Sequence, residues 1–137
     1  MWWIYALLSA LFAALTAIFA KIGIKGVDTN LATGIRTVVI LLIAWGIVFF
    51  NRSQGGIVNL TKTNWVFLIL SGFATGLSWV FYFRALQLGR VNQVAPVDKL
   101  SVALAIILSV IFLGEPLTWK NAAGAALIIG GTLVLIF

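Results

Sequence analysis

Residues 65–88 read WVFLILSGFATGLSWVFYFRALQL, a continuous apolar run that carries one charge, Arg84. An apolar helix of about 20 residues crosses a hydrocarbon core of about 30 Å. Apolar runs of similar length lie before and after it, so the pattern predicts five transmembrane helices. Their predicted bounds are residues 3–22, 31–50, 65–88, 91–113 and 119–137. The expected fold class is therefore all-α integral membrane, in one domain over residues 1–137.

The composition supports a membrane protein and excludes several function classes. Of the 137 residues, 63% are hydrophobic and 9% are charged, whereas a soluble domain carries about 25% charged residues. The chain has no Cys and no His, and its acidic residues are Asp28, Asp98 and Glu115. It therefore lacks thiolates and the commonest general base and metal ligand, and we expect no enzyme activity, metal or cofactor. The basic residues behind the net charge of +6 are scattered between apolar runs, so we expect no nucleic-acid partner.

Residues that begin and end helices lie at the predicted boundaries. Residues 28–30 and 63–64 offer side-chain caps before the second and third spans. Gly114 is a typical helix end, and Thr118 can cap the fifth span. We expect Pro96 in the first turn or so of the fourth helix, where a missing N–H costs least.

The loop charges carry little information about orientation. Five spans place the two termini on opposite sides of the membrane, and we call the N-terminal side A and the other side B. Side B holds six Lys and Arg residues and side A three, but three of the six are embedded well inside spans, while the others lie at span ends or in loops. Basic loops favour the cytoplasm, so the remaining balance predicts insertion in both orientations. The loop cations are Arg52, Lys62 and Lys120 on side A, and Lys21, Lys25 and Arg90 on side B.

Four charged residues are embedded in the predicted spans, at least four residues from either end: Arg36, Arg84, Asp98 and Lys99. At 1.5 Å per residue, the two arginines and Asp98 are each roughly 8 to 10 Å from the side-B end of their helix. Charge inside a bilayer is costly and usually marks an ion or substrate route. We therefore predict an intramembrane charge layer that acts in gating, with Asp98 paired to Arg84 or to Arg36. The alternative is an ion pair that only stabilises the helix hairpin.

Polar and aromatic residues on two adjoining faces of the third span form a candidate substrate-binding surface. Its predicted members are Thr75, Ser78, Trp79 and Tyr82, which offer hydroxyls and aromatic rings near mid-membrane. Small and hydroxyl residues at helical spacing also occur where helices simply pack closely. Lining and packing therefore both remain open for this surface.

Three stretches of the chain resemble a known family. The run VAPVDKLSVALAIILSVIFLGEPLTWKNAAGAALIIGGTLVLIF, residues 94–137, closely resembles the EamA-domain signature of the drug/metabolite transporter superfamily. AKIGIKGVDTNLATGIRT, residues 20–37, and LSGFATGLSWVFYFRALQLG, residues 70–89, are also similar to that family. In most members two five-helix units are fused into a ten-helix carrier, the second unit inverted relative to the first. The 137 residues correspond to one such half.

The resemblance implies an alternating-access carrier in the cell (inner) membrane for a small organic metabolite or drug-like solute. A single unit implies an antiparallel homodimer with dual topology, surrounded by the lipid bilayer. The alternatives are a non-transporting membrane assembly factor and a subunit of a heteromeric carrier. Family membership does not fix the substrate or the coupling ion. The cationic excess of the charge layer favours a zwitterion or a carboxylate over a bare cation.

Overall fold

The computed structural model describes residues 1–137, and all of its regular structure is helical. Five segments are long and apolar enough to cross a membrane, which confirms the predicted fold class and the number of spans. The fourth segment consists of two helices that follow each other directly. The helices are α1 (Trp2–Gly23), α2 (Thr29–Phe50), a 3-10 helix (Ser53–Asn59), α3 (Lys62–Leu88), α4 (Val91–Asp98), α5 (Leu100–Leu113) and α6 (Trp119–Ile136).

The chain forms two compact units. Unit 1 comprises Met1–Ile18 and Leu88–Phe137, and unit 2 comprises Phe19–Gln87. In unit 1, α6 packs against both α4 and α5. Most large apolar side chains of both units are exposed, as expected when lipid rather than protein covers the outer surface. The expectation of one domain over residues 1–137 stays a prediction.

Side-chain caps begin three of the helices. Asp28 accepts the backbone N–H groups of Asn30 and Leu31 at 2.9 and 3.0 Å, which confirms the predicted start of α2. Thr118 likewise caps α6. The predicted cap of the third span was wrong, because α3 begins at Lys62 and Thr61 Oγ1 accepts the N–H of Asn64. A Thr two residues earlier is therefore the cap, and residues 63–64 lie inside the first turn.

The fourth span is interrupted near its predicted proline. Pro96 lies five residues after the start of α4, beyond the first turn, and α4 ends at Asp98. A proline inside a helix lacks the N–H for one hydrogen bond, and its ring displaces the carbonyl four residues earlier. The next bonds tighten, since the N–H of Lys99 donates to the Pro96 carbonyl at 3.0 Å and to the Ala95 carbonyl at 3.3 Å. The expectation that Pro96 lies in the first turn or so of the fourth helix was therefore wrong, and the helix is interrupted three residues after it.

A hydroxyl from the last helix compensates for this interruption. Thr132 Oγ1 of α6 donates to the carbonyl of Pro96 at 3.2 Å, and Thr132 is buried. Non-helical backbone in a bilayer is tolerated only where protein or water satisfies its polar groups. The Pro96–Thr132 hydrogen bond meets that requirement within unit 1.

The buried residues of unit 2 lie at its side-B end. The end of α1, the start of α2 and the end of α3 meet there, because Lys21 Nζ donates to the Leu86 carbonyl and Gln87 Nε2 donates to the Val27 carbonyl. Phe83 and Leu86 are almost completely buried. The side-A part of α2 and α3 is exposed along most of its length. The buried residues of this unit are Ala20, Ile24, Thr29, Thr33, Phe83 and Leu86.

Candidate functional site

A cleft of about 440 Å³ lies between α2 and α3 within unit 2. Its wall is mainly apolar, and a few hydroxyls and one indole ring supply its polar groups. Sites for small molecules usually combine an apolar wall with a few polar groups in this way. The lining residues are Thr37, Ile40, Leu41 and Ala44 from α2, and Leu68, Ser71, Gly72, Thr75, Gly76 and Trp79 from α3.

The structure brings two of the four predicted binding residues into this cleft. Thr75 and Trp79 line it, whereas Ser78 and Tyr82 are not among its lining residues. Ser78 is exposed on α3, and the Tyr82 ring lies 5.7 Å from the Phe83 ring with a tilt of 59°. The assignment of all four to substrate binding stays a prediction. The α2 wall was missed although Thr33 and Thr37, four residues apart on one face, were an available signal; beyond Thr37 the sequence of α2 is apolar on every side.

The two threonine hydroxyls of the cleft bond to their own helices. Thr75 Oγ1 donates to the Ser71 carbonyl at 2.9 Å, and Thr37 Oγ1 donates to the Thr33 carbonyl at 2.8 Å. Each hydroxyl proton is therefore engaged, while the oxygen lone pairs remain able to accept a hydrogen bond. These threonines thus offer acceptors to a solute in the cleft.

Two glycines contribute to the openness of the α3 wall. A Cβ added at Gly72 or at Gly76 would meet nothing within 4 Å, so neither glycine permits a close helix contact in the structure. Both line the cleft beside Trp79. Whether the small residues of this part of α3 serve lining or packing against another helix stays open.

A guanidinium group and a buried aromatic ring meet at the side-B end of unit 2. The Cζ atom of Arg36 lies 4.0 Å from the centre of the Phe83 ring, a cation–π contact. Phe83 is 1% exposed, and the Nη1 atom of Arg36 is buried without a hydrogen-bond partner. The predicted charge layer therefore contains one cation that is held by a ring and not by a carboxylate.

The second predicted arginine belongs to a chain of hydrogen bonds at the same end. Arg84 Nη1 donates to Gln87 Oε1 at 3.0 Å, and Gln87 Nε2 donates to the Val27 carbonyl at 3.0 Å. Lys21 caps the end of α3 by donating to the Leu86 carbonyl. Sequence reasoning missed Gln87 and placed Lys21 in a loop. Gln87 lies three residues after Arg84, and Lys21 lies at the end of the first span. These two positions were the signals that the sequence offered.

Asp98 and Lys99 lie at the interruption of the fourth span in unit 1. Their side chains form an ion pair with an N···O distance of 3.3 Å, in which Lys99 is 57% and Asp98 34% exposed. An exposed pair of this kind contributes about 0–1 kcal/mol. In the structure the ion-pair partner of Asp98 is therefore Lys99, the next residue in the chain. The predicted pairing with Arg84 or Arg36, which belong to unit 2, stays a prediction, as does the gating role.

Comparison with known proteins assigns the chain to a class and a family. The EamA-like transporter family matches residues 1–137. A relative from Sinorhizobium sp, "Uncharacterized transporter in cobO 3'region", is 49% identical over 134 residues, which cover 98% of this chain and 95% of that protein. "Uncharacterized transporter YxxF" from Bacillus subtilis (strain 168) is 26% identical over 129 residues, covering 93% of this chain and 40% of that protein. No solved structure matches.

The protein is a multi-pass membrane protein of the transporter class and not an enzyme. The chain belongs to the EamA-like transporter family. This confirms the family resemblance of residues 20–37, 70–89 and 94–137.

Proposed function

We propose that the protein is an alternating-access carrier for a small organic metabolite or drug-like solute, and that it works as an inverted homodimer. The main support for the transport function is the family match over residues 1–137. The solute-binding surface is the cleft between α2 and α3, with Thr75 and Trp79 in its wall, together with Ser78 and Tyr82 of α3. The charge layer of Arg36, Arg84, Asp98 and Lys99 gates access from side B.

The chemistry of the cleft supports an organic solute. Trp79 presents a large flat ring for stacking, and Thr37 and Thr75 offer acceptors at the two walls. Apart from Ser71 the remaining lining is apolar, which suits a carbon skeleton better than a hydrated ion. Its volume of about 440 Å³ is within the usual range of small-molecule sites.

The odd number of spans and the balanced loop charges support the inverted homodimer. Many carriers place the substrate near mid-membrane between two repeats related by an axis in the membrane plane. Two copies of a five-span chain with opposite orientations reproduce that arrangement. The relative from Sinorhizobium sp has nearly the same length as the aligned region, whereas the aligned region is 40% of the relative from Bacillus subtilis. The family thus contains both short and long chains.

Transport in proteoliposomes tests the function, with Trp79→Ala as the diagnostic variant. We expect counterflow of an identified solute by the wild type and a weaker apparent affinity for Trp79→Ala, because the stacking surface is lost. Trp119→Ala is the matched control, since Trp119 is 85% exposed and lies outside the cleft. Unchanged affinity in Trp79→Ala would place the binding surface elsewhere. A wild type that transports none of a broad solute library would favour an assembly factor or a heteromeric subunit.

Cysteine labelling tests the orientation, because the chain has no native Cys. Gln54 lies in the exposed 3-10 segment between α2 and α3. In an inverted homodimer, Gln54→Cys is modified by a membrane-impermeant maleimide from both sides of sealed vesicles. Labelling from one side alone would contradict dual insertion.

A further inference from the structure

Arg36 presents a buried guanidinium nitrogen that has no hydrogen-bond partner. Its Nη1 atom is shielded from solvent, while its Cζ lies 4.0 Å from the centre of the Phe83 ring. Phe83 is 1% exposed, so packing fixes the ring, and the ring in turn fixes the position of the guanidinium. Buried donors in folded proteins almost always have an acceptor. Nη1 itself is shielded from any incoming group, but Arg36 as a whole is only half-buried, so the other edge of the guanidinium is open to an acceptor.

Arg36 and Phe83 continue the two helix faces that line the cleft. On α2, Ala44 and Ile40 line it, and Arg36 lies four residues before Ile40. On α3, Trp79 lines it, and Phe83 lies four residues after Trp79. Residues four apart share a helix face, so the Arg36–Phe83 pair follows the cleft toward side B. One such step is roughly 6 Å along the helix, which separates the guanidinium from the level of the Trp79 ring.

We infer that Arg36 binds an oxyanion group of the solute at the side-B end of the cleft, with Phe83 as its positioning residue. The substrate class is then a small organic anion with an apolar body, most simply a carboxylate. This inference rests on the proposed function, of which it names the substrate class. A guanidinium offers a planar fork of donors that matches carboxylate and phosphate oxygens. The apolar wall one turn away accommodates the body of the same molecule.

Isothermal titration of the purified protein in phosphate-free maltoside micelles tests this site. The probes are 3-phenylpropionate and hexanoate, each compared with its uncharged amide. We expect at least one carboxylate to bind the wild type about tenfold or more tightly than its amide, as a charge-assisted hydrogen bond predicts. Arg36→Gln abolishes this preference, and Arg36→Lys retains only part of it. Arg90→Gln is the matched control, because it removes one exposed side-B charge and keeps the preference.

The positioning role of Phe83 has its own readout. Phe83→Leu keeps an apolar side chain but removes the aromatic face, so the ratio of carboxylate to amide affinity falls. Phe83→Tyr keeps the ring and preserves the ratio. A purely structural role would change both affinities together, and an unchanged ratio in Phe83→Leu would overturn the assignment of Phe83.

Three results would overturn the assignment of Arg36. The first is a wild type without carboxylate preference in either probe pair, and the second is a preference that survives in Arg36→Gln. The third is Arg36-dependent binding of phosphatidylglycerol without any carboxylate preference, which would assign the guanidinium to a lipid headgroup. Binding is measured without transport, so the two proposals fail separately. Arg36-dependent binding without transport contradicts the carrier, while transport with an intact preference in Arg36→Gln contradicts this site.

Discussion

Replacement of Thr132 by Val removes the hydroxyl that compensates for the interrupted fourth span and leaves the side-chain volume nearly unchanged. Thr132 is 3% exposed, and its Oγ1 donates to the Pro96 carbonyl over 3.2 Å. Hydrogen bonds between membrane helices contribute about 0.6 kcal/mol on average and about 1.7 at most. The distance is long for a hydroxyl donor, and the acceptor keeps its bond from Lys99. We therefore expect Thr132→Val to lower the free energy of unfolding by about 0.6 kcal/mol.

A double-mutant cycle with Pro96→Ala separates this bond from a general packing effect. Ala at position 96 restores the backbone N–H and allows the helix to continue through Lys99, so the carbonyl of residue 96 exchanges the tight bond from Lys99 for a regular helical bond from the residue four positions on. In that background the Thr132 hydroxyl is no longer needed, and the cost of Thr132→Val falls toward zero.

Reversible unfolding in mixed micelles measures all four proteins of the cycle. Thr132→Ser is the control, since it keeps the hydroxyl and loses only a methyl group. The same cost for Thr132→Val in both backgrounds would refute a coupling between Thr132 and the proline break. If Thr132→Ser lowers the free energy of unfolding more than Thr132→Val does, the methyl group and not the hydrogen bond stabilises this contact.

Three further substitutions test the local structure and the gate. Asp98→Asn breaks an exposed ion pair, so we expect a change of at most about 1 kcal/mol in unfolding free energy and lost proteoliposome transport; normal transport would contradict gating. Gly114→Ala forces a side chain into the left-handed conformation at φ 66° and should cost about 1–2 kcal/mol in the same unfolding assay, and a neutral result would argue against that conformation. Asp28→Ala removes two N-cap hydrogen bonds and should cost about 1 kcal/mol; Asp28→Asn should retain most of that stability.

The spans and most of their boundaries follow from the order of the amino acids. Hydropathy over about 20 residues is a local property, so all five spans could be predicted within a few residues. Caps such as Asp28 and Thr118 are equally local, because the side chain bonds to backbone two or three residues ahead. Even the break in the fourth span has a local cause in Pro96, although its position beyond the first turn required the structure.

Which helix faces meet was decided by the tertiary structure. In a soluble protein the apolar stripe of a helix indicates its buried face, but lipid is as apolar as the protein interior, so the apolar run of α2 beyond Thr37 marks no single face. The α2 wall of the cleft, the placement of Arg36 over Phe83 and the bond from Thr132 to Pro96 join residues far apart in sequence. Such contacts depend on how whole helices pack, and no local periodicity specifies that packing.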